Sequence, residues 1–169
     1  MQFSRRQEHR VRRLHVRSPP FEAYRENTAR IRYSTDMSGP EELREMAETI
    51  RSARGYRWVG IYEVTDQEIA ALAWTGTQPP AHPRFPLTQG LCGAAAASRA
   101  PVVVGDVRSD RHYLTTFGTT LSEIIVPVVN AAGQVVALID VESDRLNAFQ
   151  EEDRRFLEEW SGRILGNRT

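Results

Sequence analysis

Between Pro40 and Arg54 the apolar residues Leu43, Met46, Ala47, Ile50 and Ala53 recur at helical spacing and line one face. Ser38 or Gly39 can cap this helix, Pro40 suits its first turn, and Glu41 and Glu42 complement its dipole. Arg54-Gly55 supplies a stop. The pattern then changes character. Arg57-Trp-Val-Gly-Ile-Tyr-Glu-Val64 is rich in β-branched and aromatic residues and reads as a strand. Thr65-Asp66-Gln67 forms a turn, and Glu68 to Trp74 is its hairpin partner. Residues 75–87 hold four prolines and form a loop, with Phe85-Pro86-Leu87 extended. Cys92 to Ser98 is a short helix and Val102 to Val104 a strand. The polar stretch Asp106 to Ser122 is a loop with at most a turn of helix. Glu123 to Val129 and Val135 to Glu142 are strands joined by the turn Asn130-Ala-Ala-Gly133. A last helix starts near Asn147 or Phe149, with acids in its first turn and Phe156, Leu157, Trp160 and Ile164 as its apolar stripe.

Two strand pairs joined by tight turns predict a mostly antiparallel sheet. The helices at the two ends of this region can cover one face, leaving the short helix and the long loops for the other, where a pocket is natural. The fold class is therefore α/β of the α+β kind. Residues 1–36 form a basic arm, with a loosely patterned helix over 21–34, and residues 37–169 form the domain.

Composition narrows the function classes. All 22 basic residues are arginine, which excludes lysine Schiff-base chemistry and a phosphate-loop lysine. One cysteine cannot form an internal disulfide, no apolar run spans a bilayer and no secretory signal opens the chain. The expectation is a cytoplasmic protein with no membrane partner. The formal net charge of zero conceals an asymmetry: nine Arg face three Glu in residues 1–34, a net of +6, and the remainder carries −6. No nucleic-acid motif follows the basic arm, so nucleic acid is not the expected partner.

Several groups carry candidate chemistry. Asp140 and Glu142 are two apart on a strand and face one side, and Glu123 begins another strand. Together they can grip a cation, or they mark a solvated face. Trp58 and Tyr62, four apart, share a side and wall a pocket or fill a core. Cys92 opens a helix, where the dipole and free N–H groups favour a thiolate, although a lone cysteine is also a small buried hydrophobe. Asp106, Asp110 and His112 fit turn and capping roles better than a metal site. No residues are assigned to metal and no cofactor is expected.

Trp58-Val-Gly-Ile-Tyr62, Gln89-Gly-Leu-Cys-Gly93, Val104-Gly-Asp-Val107, Ser122-Glu-Ile-Ile-Val-Pro127, Leu138-Ile-Asp-Val-Glu-Ser143 and Phe149-Gln-Glu-Glu-Asp153 together resemble a GAF domain over roughly residues 40–167. The first two segments are similar to the free methionine-(R)-sulfoxide reductases. That resemblance implies a ligand pocket of Trp58, Tyr62, Glu123, Asp140 and Glu142, with Glu142 standing where the family usually has Asp. It also implies a nucleophilic cysteine in the long loop, a resolving cysteine at Cys92 and, in some members, a third upstream. Here the nucleophile position is Thr116 and the third corresponds approximately to His82. A threonine hydroxyl forms neither a sulfenic acid nor a disulfide.

The expected function is thus a sensory or regulatory GAF domain that binds a free amino acid or similar compact ligand. Its output would pass through a protein partner, and it would pair as a homodimer to which Leu157, Trp160 and Ile164 contribute. The alternatives are a reductase that uses Cys92 as its nucleophile, and a dimerisation module without ligand.

Overall fold

The computed structural model of the protein describes residues 39–165. The basic arm and the helix expected over 21–34 lie outside the described residues. The elements run α1 (Pro40–Arg54), β1 (Trp58–Val64), β2 (Glu68–Thr75), β3 (Arg84–Pro86), α2 (Gly90–Ser98), β4 (Val102–Val104), a 3-10 turn (Val107–Ser109), β5 (Ser122–Val129), β6 (Val135–Ser143) and α3 (Glu151–Ile164). The six strands form one sheet in the order β3-β2-β1-β6-β5-β4, and every neighbouring pair is antiparallel.

Local chemistry explains most boundaries. Gly39 caps α1 and Pro40 occupies its first position. Gly55 closes the helix at φ +65°, in the left-handed region that glycine enters without strain. Residues 75–87 place Pro86 on the sheet edge: among the described residues β3 pairs with β2 alone, so the missing N–H of Pro86 breaks no ladder on the outer side. The last helix starts later than its sequence suggests, at Glu151 after Gln150. Asn147 is held in the left-handed region at φ +50° and donates its N–H to the Gly105 carbonyl at 2.9 Å, which keeps it out of the helix. The Asp153 carboxylate then accepts the Gln150 N–H at 2.8 Å and fixes the true start.

Strand alternation divides the interior into two layers. Val59, Ile61, Ile124, Val126, Ile139 and Val141 face α1 and α3, whose Leu43, Ala47, Ile50, Leu157 and Ile164 complete that core. Leu157 and Ile164 are wholly buried in this layer, and Trp160 is partly buried beside them. Their apolar stripe is already used by the sheet. The opposite layer holds Trp58, Tyr62, Leu138, Ile125 and the inner side of α2, closed by Phe85 and Phe117. Among the described residues no helix is long and apolar enough to cross a membrane.

Candidate functional site

Cross-strand register brings the acids together. Glu142 on β6 lies opposite both Trp58 on β1 and Glu123 on β5. Two residues earlier on β6, Asp140 lies between Gly60 and Ile125. Trp58, Gly60 and Tyr62 share this face, and glycine is required between the rings. A Cβ on Gly60 would sit 2.4 Å from Trp58 Cη2 and 2.9 Å from Tyr62 Cε2. The indole N–H of Trp58 donates to the Gln78 carbonyl at 3.1 Å, and Phe117 packs edge-on against the indole at 5.4 Å. Tyr62 meets Phe85 in the same geometry at 5.9 Å.

α2 lies over β5 and β6 and carries Cys92 in its first turn. Gly93 permits this placement, because a Cβ there would meet the Leu87 carbonyl oxygen at 2.7 Å. The Cys92 thiol points at Asp140, with Sγ 4.0 Å from Oδ2. A cavity of about 20 Å³ lies between α2, the sheet and the loop after the 3-10 turn. It is lined by Tyr62, Cys92, Glu123 and Asp140, together with His82 and Thr116, the two positions singled out by the reductase resemblance. Trp58 and Glu142 stand one row behind it.

The acids do not form a solvated face. Glu123, Asp140 and Glu142 are 4 %, 3 % and 0 % exposed. Burial, then the charges of Asp140 and Glu142, push the Glu123 carboxyl well above its ordinary range. Burial and Glu142 do the same to Asp140, which the Glu123 carboxyl relieves by sharing a hydrogen bond with it. Glu142 is raised to about 7 by burial, against the Thr120 and Thr116 hydroxyls and Arg57, which hold it down. The Thr120 hydroxyl donates to Glu142 Oε2. Among the described residues, no donor reaches Oε2 of Glu123, Oδ1 of Asp140 or Oε1 of Glu142. Among the described residues, no arginine is one of the groups acting on Glu123 or Asp140.

Cys92 departs from the electrostatic expectation drawn from its helix. Burial raises its thiol well above the ordinary value, and Asp140, Glu123 and Glu142 raise it further. The helix terminus offers only partial charges, whereas three acids face the sulfur in a dry interior.

Other residues were not visible as participants in the sequence. Thr120 donates to one oxygen of Glu142. Arg57 donates to Thr119 at 2.5 Å and lies over the Phe117 ring at 5.9 Å, tying the loop down beside Glu142. Phe117, an isolated aromatic among small polar residues, was the available signal. Asp106 and Asp110 act as turn residues: Asp106 accepts the Arg108 N–H at 3.1 Å and Asp110 accepts the His112 N–H at 2.8 Å.

A curled antiparallel sheet with helices on one face and a loop-covered pocket on the other defines a GAF domain. The model of that family matches residues 40–164, and the chain belongs to the GAF domain family. Two similar solved structures are free methionine-R-sulfoxide reductases. That of Neisseria meningitidis, in complex with its substrate, is 30% identical with a TM-score of 0.69, covering 90% of this chain and 92% of its own. The type II enzyme of Thermoplasma acidophilum is also 30% identical with a TM-score of 0.69, covering 72% of this chain and 86% of its own. GAF domain-containing protein A of Dictyostelium discoideum is 29% identical over 116 residues, 68% of this chain and 72% of its own.

Proposed function

We propose that this GAF domain binds a compact ligand bearing a primary ammonium group, such as a free amino acid, and serves as a sensory or regulatory module. The observation that carries this reading is the burial of Glu123 and Asp140 on one cavity, with Glu142 buried one row behind them and, among the described residues, no arginine acting on the first two. Burying acids without a counter-cation is unfavourable, and a ligand ammonium supplies the missing charge and three donors. Tyr62 walls the space for the ligand's apolar part. The cavity of about 20 Å³ admits one water-sized group. Entry of an amino acid therefore displaces the covering side chains Leu114 and Thr116, which links ligand binding to movement of the loop. That movement is the natural signal to a partner protein or a second copy of the chain. A dimerisation module with no ligand would need large apolar side chains here, not three buried acids.

The test is thermal stabilisation by a panel of free amino acids that includes both epimers of methionine sulfoxide. Stabilisation by one of them that disappears in the double variant Glu123→Gln, Asp140→Asn supports the reading. Equal stabilisation of the double variant refutes it.

A second reading, reduction of free methionine sulfoxide, is favoured by the 30% identity to two enzymes of that name and by Cys92 lining the cavity. In this scheme the Cys92 sulfur takes the sulfoxide oxygen, releasing methionine and leaving a sulfenic acid on Cys92. Two equivalents of an external thiol then regenerate Cys92, giving one disulfide and one water. Cys92 is the chain's one cysteine and Thr116 holds the nucleophile position, so no internal disulfide forms. Turnover of the R epimer with dithiothreitol, abolished in Cys92→Ser, would establish it. Absence of turnover removes it.

A further inference from the structure

The cavity gathers three groups that an ammonium reading leaves partly unexplained. Cys92 Sγ and one oxygen each of Glu123 and Asp140 lie within 4.8 Å of one another, all buried. An ammonium needs acceptors and has no use for a thiol. Among the described residues, two of the carboxylate oxygens, Oε2 of Glu123 and Oδ1 of Asp140, meet no donor although both side chains are more than nine-tenths buried and line the cavity. The cavity volume of about 20 Å³ suits a single ion with at most one water, and is far too small for an amino acid without rearrangement.

We propose that Cys92, Glu123 and Asp140 form a site for one thiophilic divalent cation, of which Zn²⁺ is the best match. One sulfur and two carboxylate oxygens are a borderline-soft donor set, and three protein ligands with an open fourth position is a geometry Zn²⁺ adopts. Ca²⁺ and Mg²⁺ want six or more oxygens and gain little from a thiol. A tetrahedral ion places its ligand atoms about 3.5 Å apart, so the 4.0 Å separation of Cys92 Sγ and Asp140 Oδ2 requires only small side-chain adjustments. The charges also fit: a thiolate and two carboxylates give −3 against +2, and the cation removes the like-charge repulsion that the three groups impose on one another. Because the cation and a ligand ammonium use the same two acids, they exclude one another, but metal binding does not depend on the amino-acid reading being right.

The test is titration of the reduced, chelator-washed full chain with Co²⁺, followed by optical absorption. A sulfur-to-cobalt charge-transfer band that saturates at one ion per chain and is bleached by Zn²⁺ is the expected result. The band reports the thiol alone, so binding to the histidines His9 and His15 of the N-terminal arm does not contribute to it. Cys92→Ala should lose the band, and Glu123→Gln and Asp140→Asn should each weaken binding at least roughly tenfold. Melting curves show whether each variant is folded, and the two carboxamide variants keep the size of the native side chains. No charge-transfer band in the native chain overturns the proposal. A band of unchanged affinity in both folded carboxamide variants overturns it as well, because the thiol then binds without the acids.

Discussion

Replacing Glu142 by Gln isolates the contribution of one buried carboxyl to the pH dependence of stability. Glu142 is wholly inaccessible, and its carboxyl is raised from 4.5 to about 7, first by burial. In the unfolded chain it titrates at its ordinary value. Between the two values the folded state holds a proton that the unfolded state has lost. The associated stability is therefore complete below the unfolded value and declines as pH rises through about 7. A rise of this size corresponds to about 3 kcal/mol. Gln keeps the volume and still accepts the Thr120 hydroxyl, but does not titrate. The assay is urea unfolding of both proteins at about pH 5 and about pH 8, below and above the shifted value. The stability difference, native minus variant, should fall by about 2–3 kcal/mol between them, or roughly 6–9 °C in melting temperature at about 3 °C per kcal/mol. Relief of Glu123 and Asp140 in the variant acts in the same direction. Parallel pH profiles would refute the account of Glu142 as a buried acid that is protonated in the folded state.

Three further outcomes follow from the geometry. Gly60→Ala drives a methyl into the Trp58 and Tyr62 rings and should cost about 1–3 kcal/mol in chemical denaturation, with a change in tryptophan emission. Leu157→Ala empties a wholly buried position between α3 and the sheet and should cost about 2–5 kcal/mol, with the same metal and ligand responses as the native chain. The double variant Glu123→Gln, Asp140→Asn should melt higher than the native chain near neutral pH, because it removes two buried acids whose ionisation is unfavourable; a lower melting temperature would show that the acids stabilise the fold.

Much of this architecture was legible along the chain. The apolar stripe of Leu43, Ala47 and Ile50 fixed α1, Gly55 its end, and Asn130 to Gly133 the last hairpin, because each depends on neighbours a few residues away. The alternation in β5 and β6 likewise set which side Asp140 and Glu142 share. The start of α3 was misplaced because a tertiary contact with Gly105 holds Asn147 outside the helix. The site was legible only as a set of residue types. Whether Glu123, Asp140 and Glu142 meet water or one another depends on the register of three strands and on a loop held down by Phe117 and Arg57, none of which has a local signature. The same is true of Cys92. Its place at a helix start was readable, yet the sign of its electrostatics was not. Partial charges at a helix terminus act on the sulfur along the chain, but three carboxyls brought from distant strands act across a dry interior, and at that range and dielectric they dominate.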